Sequence, residues 1–237
     1  MISAILPVKN EAGSLIQLNS LLQHALLSIG VQYEIIYVND GSTDDSASIL
    51  KAIKDSSIRI INLDKSYGQS SALQAGIDNA KGDIIVTLDA DMENDPRDIE
   101  NLIAELDKGY DVVCGKRTGR PKNLNLFFSN TGNLIFRKIF KAPVDDMACT
   151  LRAYKKPVLD KIVLRGSFHR YLSVILHMKG AKIGQVEVRY FHRKQGRSKY
   201  RTFDRMISTF KDLMGLMFFR RTIMENTIRE YKIRDIW

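Results

Sequence analysis

The first half of the chain alternates short apolar runs with segments whose apolar residues recur at helical spacing. The runs have the length and β-branched content of buried strands, and they are SAILPV at 3–8, YEIIYV at 33–38, IRIINL at 58–63, DIIVTL at 83–88 and DVVCG at 111–115. The amphipathic segments cover about 12–28, 44–54, 69–80 and 96–107. This alternation predicts an α/β fold in which helices flank a mostly parallel central sheet.

The pattern changes after residue 115, where a loop rich in basic residues, GKRTGRPKN, follows the last of these strands. We then expect a helix at about 126–140, a strand in ACTLRAYKK, helical segments around 156–179 and a strand in AKIGQVEVRY. The sequence contains no linker, internal repeat or low-complexity tract. We therefore predict one domain over residues 1–200.

The segment 193–221 combines positive charge with apolar residues at helical spacing. It holds nine lysines and arginines against two aspartates. Such an amphipathic helix with a basic edge can either pack on the core or dock on anionic lipid. We expect residues 201–237 to form this helix and a tail. Packing of the helix on the core and docking of the helix on a membrane both stay open.

Composition limits the classes of protein to which the chain can belong. With 237 residues, 44% of them hydrophobic, it can bury a sizeable core. The net charge of +9 favours anionic partners. Cys114 and Cys149 have neither metal-type spacing nor a disulfide framework, which favours a reducing compartment. No apolar run approaches the ~18–20 residues that span a bilayer, so we expect a soluble or peripheral protein.

Four acidic residues alternate directly after the fourth predicted strand, in IIVTLDADMENDP. An extended backbone would point Asp89 and Asp91 to the same side, and Glu93 as well if the strand continued. Convergent carboxylates repel one another, and Mg²⁺ and Mn²⁺ take such oxygen ligands. Asp95 before Pro96 is typical of a helix cap. The run predicts a divalent metal site and then a helix, and an acidic turn that merely starts the helix is the alternative.

The second predicted strand also ends in polar, turn-forming residues, VNDGSTDDS. Ligands of parallel sheets bind beyond the carboxyl ends of the strands, where such loops gather. Asp40 is placed there to accept hydrogen bonds from a nucleobase N–H or a ribose hydroxyl. Asp44 is interpreted as a helix N-cap.

An ordered set of motifs resembles the family 2 glycosyltransferases of the GT-A fold over about residues 1–200. The motifs are AILPVKNEAGSL, IIYVNDGSTDDS, YGQSSALQAGIDNAKGDIIVTLDADMENDP, DVVCGKR, DDMACTLRAYKK and HRKQGRSKY. Within the family they are similar to the branch resembling dolichol-phosphate mannose synthase. The resemblance implies a metal-dependent inverting enzyme that moves a single sugar from a nucleotide-diphosphate sugar to a dolichyl or undecaprenyl phosphate.

The resemblance also implies site residues by motif position. The nucleoside would contact Pro7, Asn10, Glu11, Asp40 and Gly68. The Mg²⁺ or Mn²⁺ ion and the diphosphate would face Asp89, Asp91 and Glu93, although relatives often carry Gln at the last of these. The acceptor phosphate would contact Arg117 and Ser129. A basic loop that closes over the diphosphate would supply Arg193, Ser198 and Lys199.

The expected chemistry is electrostatic rather than proton transfer. A lipid phosphate monoester has a second pKa near 6, taking phosphoserine as the guide, so at pH 7 it needs little help from a base. We therefore assign Arg117, Arg193 and Lys199, with the metal, to charge stabilisation and positioning. Asp146 matches a family aspartate near the reaction centre, where it would orient a sugar hydroxyl or a basic residue. A purely structural role for Asp146 is the alternative.

The expected partners are a UDP- or GDP-sugar, a polyprenyl phosphate and an anionic membrane surface. They place the protein in the cytoplasm, peripheral at the inner face of the membrane. A membrane-anchoring subunit and assembly into a homo-oligomer are left open. We expect no binding to nucleic acid. The sequence lacks G-x-x-x-x-G-K-[ST], which excludes a P-loop enzyme, and Q-x-x-R-W, which argues against a processive synthase. The alternatives are a GT-A enzyme with a non-lipid acceptor such as a glycan, or a non-catalytic basic protein that binds membranes or nucleic acid.

Overall fold

The computed structural model describes residues 1–119, 134–135, 137–160, 162–191 and 230–237. The strands are β1 (Ile2–Val8), β2 (Tyr33–Asn39), β3 (Ile58–Leu63), β4 (Ile84–Thr87), β5 (Val112–Thr118), β6 (Arg152–Lys155), β7 (Ile183–Arg189) and β8 (Ile233–Ile236). The α-helices are α1 (Leu15–Ser28), α2 (Ser46–Ile53), α3 (Gln69–Asn79), α4 (Ile99–Leu106) and α5 (Leu172–Met178). Short 3₁₀ turns at Pro96–Asp98, Lys156–Leu159 and Phe168–Tyr171 join them.

The strands of the described residues form one sheet of eight, in the order β7-β5-β6-β4-β1-β2-β3-β8. β6 and β8 run antiparallel to their neighbours, and the remaining strands share one direction. The predicted mostly parallel α/β sheet is thereby confirmed. Because β1 lies between β2 and β4, in register with both, the carboxyl ends of these three strands meet at one edge.

The helices bury both faces of the sheet, which explains why its strands are almost wholly apolar. On β1, Ala4 and Leu6 join the core under α1, α2 and α4, while Ile5 joins the core under α3 and α5. α3 packs so closely on β1 that a Cβ atom at Gly76 would collide with the side chain of Ile5. α3 is thereby held close to the strand end at which the polar loops gather.

β8 is the element that the hydrophobic pattern did not predict. It pairs with β3, where Ile61 lies opposite Ile236 and the backbones of Ile60 and Trp237 exchange two hydrogen bonds. Inside the pair, the buried Asn62 donates to Asp235 at 2.5 Å and accepts from Asn39 of β2 at 3.0 Å. The short, half-polar sequence of β8 becomes a strand because β3 offers it an edge.

Two predicted helices fall largely outside the described residues. Of the stretch predicted at 126–140, positions 134, 135 and 137–140 are helical. The amphipathic helix predicted after residue 201, and the boundary at residue 200, lie in a segment that the structure does not describe, and both remain predictions. Among the described residues, no helix is long and apolar enough to cross a membrane.

Candidate functional site

The loops that follow β1 and β2 are bound to each other at the shared edge of the sheet. Asn10 adopts a left-handed backbone conformation with φ of 59°, and its side-chain oxygen accepts from the Thr43 N–H at 2.8 Å. Lys9 donates to the carbonyl of Asp40 at 3.0 Å, and the Glu11 N–H donates to the Ser46 hydroxyl at 2.9 Å. Two residues expected at the nucleoside, Asn10 and Glu11, therefore lie on a wall that hydrogen bonds between the two loops hold together.

The Asp40 carboxylate is occupied inside the protein rather than facing open space. It accepts hydrogen bonds from the Ser66 hydroxyl at 2.8 Å, the Tyr67 N–H at 2.6 Å and the Gly68 N–H at 3.0 Å. Gly68, with φ of 91°, precedes the first turn of α3. The structure shows Asp40 fixing the loop that starts α3, and its expected hydrogen bond to a nucleoside stays a prediction.

The acidic run leaves the strand earlier than the sequence suggested. β4 ends at Thr87, two residues before Asp89, and the chain then turns at Ala90 and Asp91. Met92 has φ of 64°, and the Glu93 N–H turns back to donate to Asp91 at 3.0 Å. The condition under which Glu93 would point with Asp89 and Asp91, a strand that continues to residue 93, is therefore not met, because a turn stabilised by Asp91 replaces the strand.

Asp89 and Asp91 nevertheless lie close enough to interact strongly. Burial raises the pKa of Asp89 to about 7, and repulsion from Asp91 and, less strongly, from Glu93 adds to this effect. Gln69, in the first turn of α3, donates to Asp89 at 2.6 Å. A hydrogen bond from Thr150 and the charge of Arg117 favour the ionised form of Asp89, but they offset burial and repulsion only in part.

Arg117 and Asp146 form a buried pair beside this acidic turn. Asp146 accepts from Nε of Arg117 at 2.7 Å and from Nη2 at 2.8 Å, and Nη1 lies 3.8 Å from Glu93. These carboxylates raise the already high pKa of Arg117 in spite of its burial. Of the roles that the sequence left open for Asp146, these contacts fit both orientation of a basic residue and a purely structural role.

The end of β7 lies against the acidic turn. Asn94 forms a bridge with Tyr190, and the Phe191 N–H donates to the carbonyl of Glu93 at 2.9 Å. The chain continues from Phe191 into the basic motif HRKQGRSKY. Arg193, Ser198 and Lys199 of that motif lie outside the described residues, and so does Ser129, so these assignments remain predictions.

Asp95 begins the next helical segment as predicted. Its side chain accepts from the Arg97 N–H at 3.0 Å, and Pro96 is the first residue of the 3₁₀ turn that leads into α4. Burial alone would raise the pKa of Asp95, but hydrogen bonds from Arg97 and the charge of Arg189 hold it below the usual value. Asp95 is therefore separate from the group of carboxylates around Asp89.

A small cleft opens beside Asp89. Its lining combines apolar and polar side chains, from Pro7, Gln69, Leu73, Thr87, Leu88, Asp89, Thr150, Arg152, Tyr154 and His169. Pro7 and Asp89 were predicted from the sequence, whereas Gln69, Thr150, Arg152 and His169 were not. Gln69 could have been found from its place directly after Gly68, at the start of a helix that follows a polar strand end.

The residues present fit a divalent metal held by two carboxylates better than by three. Among the described residues, no three His, Cys, Asp or Glu side chains form a ready metal centre. Mg²⁺ is commonly bound through one or two carboxylates and completed by water and substrate phosphates. Asp89 and Asp91 provide that donor set, whereas Glu93 is directed toward Arg117.

Comparisons with solved structures identify the fold. Mannosyl-3-phosphoglycerate synthase from Rubrobacter xylanophilus superposes with a TM-score of 0.74 at 16% identity, covering 97% of this chain and 77% of that one. Glucosyl-3-phosphoglycerate synthase from Mycobacterium tuberculosis, in complex with Mn²⁺ and UDP-glucose, superposes with a TM-score of 0.71 at 18% identity, covering 100% and 86%. The predicted GT-A fold is confirmed over the described residues.

Comparisons of sequence identify the family. Undecaprenyl-phosphate 4-deoxy-4-formamido-L-arabinose transferases from Salmonella paratyphi B and Salmonella newport are 34% identical over 217 residues, which is 90% of this chain. The chain spans 66% of the length of these curated relatives. The model of glycosyl transferase family 2 matches residues 3–163, a range that contains the acidic turn, Arg117 and Asp146. The chain belongs to glycosyl transferase family 2.

Proposed function

We propose that the chain is a metal-dependent inverting glycosyltransferase that moves one sugar from a nucleotide-diphosphate sugar to a polyprenyl phosphate. The observation that carries the proposal is that the carboxyl groups of Asp89 and Asp91 crowd together at a buried turn beside the cleft, an arrangement that a divalent cation would stabilise. Membership of family 2 supports sugar transfer. The curated relatives are named as transferases to undecaprenyl phosphate, which supports a lipid acceptor.

Asp89 and Asp91 would hold the metal, and their oxygen donors suit both Mg²⁺ and Mn²⁺. Bound there, the ion would supply positive charge to the departing nucleoside diphosphate. Gln69 donates to Asp89 and would keep this carboxylate oriented toward the cleft. The M. tuberculosis neighbour was solved with Mn²⁺ and UDP-glucose, which makes these the first ligands to test.

The nucleoside would bind against the two loops that are already joined at the ends of β1 and β2. Asn10 and Glu11 form hydrogen bonds across these loops, and Pro7 lines the adjacent cleft. Asp40 accepts a hydrogen bond from the Gly68 N–H and so fixes the start of α3, and through this contact it would shape the nucleoside site. These hydrogen bonds restrain the two loops, and restraint of this kind lowers the entropy lost on binding.

Asp146 would be a positioning residue for Arg117 rather than a base. The lipid phosphate is already largely ionised at neutral pH, so the reaction needs positive charge and alignment more than proton removal. Arg117 would supply that charge on the acceptor side with Ser129. Arg193, Ser198 and Lys199, in the segment that follows Phe191, would neutralise the donor diphosphate.

The proposed acceptor requires the protein to work at a membrane. We propose a cytoplasmic protein that is peripheral at the inner face, with the basic segment 201–221 in contact with anionic lipid. A membrane-anchoring subunit or a homo-oligomer would strengthen this attachment by adding a second point of contact. Flotation with anionic and neutral liposomes tests the proposal, and equal behaviour with both lipids would overturn it.

The transfer itself can be tested with purified protein, Mn²⁺ or Mg²⁺, a panel of UDP- and GDP-sugars and undecaprenyl phosphate in detergent. We expect one donor to yield a glycosyl lipid that mass spectrometry identifies, and Asp91→Asn to abolish its formation. 3-Phosphoglycerate and a soluble glycan serve as control acceptors. Transfer to a control acceptor alone would overturn the lipid assignment, and no transfer to any acceptor would overturn the proposed activity.

A further inference from the structure

His169 is held at three points on the wall of the cleft. Its Nδ1 atom lies 2.8 Å from the Ser70 hydroxyl, and its backbone N–H donates to the same hydroxyl at 3.2 Å. Its backbone carbonyl accepts from Nη1 of Arg152 at 3.1 Å. A side chain fixed in this way loses little freedom when it binds a ligand.

The hydrogen bonds of the ring are compatible with the tautomer that carries its proton on Nε2. In this tautomer the Ser70 hydroxyl accepts from the His169 backbone N–H and donates its own hydrogen to Nδ1. The Nε2–H group then has no hydrogen-bond partner among the described residues. Burial lowers the pKa of His169 to about 3, with contributions from Arg170 and Arg152, so the ring stays neutral.

Most of the hydrogen-bonding capacity of Arg152, which also lines the cleft, is used inside the protein. Four of its five N–H donors go to the carbonyls of Cys149, Met147, His169 and Arg170, so neutral side chains of the lining, His169 among them, are left to contact a ligand. Leu73, Leu88 and Tyr154 provide apolar wall. Asp89 and His169 both line this cleft, so a ligand that binds beside the acidic turn also faces the ring.

The first turn of α3 connects the two sides of this cleft. Gln69 binds Asp89 on one side, and its neighbour Ser70 binds His169 on the other. The distance between the acidic turn and the imidazole is therefore set by two consecutive residues of one helix. The affinity for a ligand that lies between the acidic turn and the imidazole can therefore depend on where the ligand carries its hydroxyl groups.

We propose that His169, anchored by Ser70, is a specificity-determining residue that donates a hydrogen bond from Nε2 to an oxygen of the transferred sugar. This inference rests on the proposed function, because it requires a nucleotide sugar in the cleft. Ser70 is a positioning residue that acts through His169. The contact discriminates between sugars that do and do not present an oxygen at that position.

The matched variants are His169→Gln, whose amide nitrogen can reproduce the Nε2 donor, and His169→Asn, whose shorter amide cannot. Ser70→Ala keeps Nε2 but releases the ring. Calorimetry would compare UDP with UDP-glucose, or the donor found in the screen with its nucleoside diphosphate, and thermal melts would verify folding. We expect His169→Asn to bind the nucleotide sugar about tenfold more weakly, with binding of the diphosphate unchanged. His169→Gln should recover most of this loss, and Ser70→Ala should fall between the two.

Three results would overturn the inference. If His169→Asn binds sugar nucleotide and diphosphate as the wild type does, the ring makes no sugar contact, while the proposed function stands. If both ligands weaken equally, or if His169→Gln is no better than His169→Asn, the role of the ring is structural. If the wild type binds no nucleotide at all, the proposed function fails first and the inference fails with it.

Discussion

Asp146 binds Arg117 through both carboxylate oxygens, and each of these side chains is only 8% exposed. The two residues are 29 positions apart in sequence and meet because β5 carries Arg117 past the loop that precedes β6. An arginine buried in this way needs its counter-charge, since an unpaired buried ion is strongly disfavoured.

Replacing Asp146 by Asn should therefore destabilise the protein. We expect the free energy of unfolding to fall by about 3 kcal/mol, the low end for a broken buried pair, because Glu93 still lies near Arg117. Denaturant titration would measure the change. Asp145→Asn is the matched control, since Asp145 is 37% exposed and should cost about 0–1 kcal/mol. Equal losses in the two variants would contradict the prediction.

The metal-free protein should lose stability as the pH rises. The folded state raises the pKa of Asp89 to about 7, so between about pH 4 and pH 7 the folded state binds more protons than the unfolded state. In this pH range the contribution of Asp89 to the free energy of unfolding falls by at most about 1.4 kcal/mol per pH unit. Asp89→Asn removes this titration, so its advantage over the wild type should grow from pH 5 to pH 8 in EDTA. Parallel pH curves for the two proteins would refute the assignment.

Metal binding should depend on Asp91 and tolerate the loss of Glu93. At a Mn²⁺ concentration of about 100 times the dissociation constant, the wild type should gain about 2.7 kcal/mol of apparent stability. Asp91→Ala should lose this gain, whereas Glu93→Ala should keep it, because Glu93 is turned toward Arg117. Thermal shift with increasing Mn²⁺ provides the measurement. Loss of the shift in Glu93→Ala would restore the three-carboxylate site that the sequence suggested.

The buried contact between β3 and β8 should contribute measurably to stability. Asp235→Ala would leave the side-chain amide of Asn62 without its acceptor, and an unsatisfied buried donor costs about 1–3 kcal/mol. Arg234→Ala is a control on the same strand, since Arg234 is 55% exposed and binds Asp235 only at the surface. If the two variants unfold at the same denaturant concentration, Asn62 does not depend on β8.

Much of the architecture could be predicted from the sequence, because buried strands and amphipathic helices leave periodic patterns. The acidic run was correctly placed after β4, and Asp95 was correctly predicted as a cap. The turn at Met92 could not be predicted, since a left-handed conformation at a methionine has no sequence signature. For this reason Glu93 was expected beside Asp89 rather than toward Arg117.

Contacts between distant segments were also beyond the reach of pattern analysis. Nothing in the sequence shows that Ser70 meets His169, 99 positions away, or that Asp146 takes two hydrogen bonds from Arg117. An isolated histidine in FHRY is as typical of a helix surface as of a cleft. β8 escaped prediction because four residues of mixed polarity become a strand only beside an existing edge.

β8 also determines which strand forms the outer edge of the sheet next to β3. Without it, β3 would be an outer strand of sequence IRIINL with unpaired backbone groups, and such an apolar edge is a template for pairing with another chain. With it, the outermost strand carries Arg234 and Asp235, charged residues of the kind that discourage such pairing. Residues 233–236 therefore protect the protein against aggregation at the edge farthest from β7.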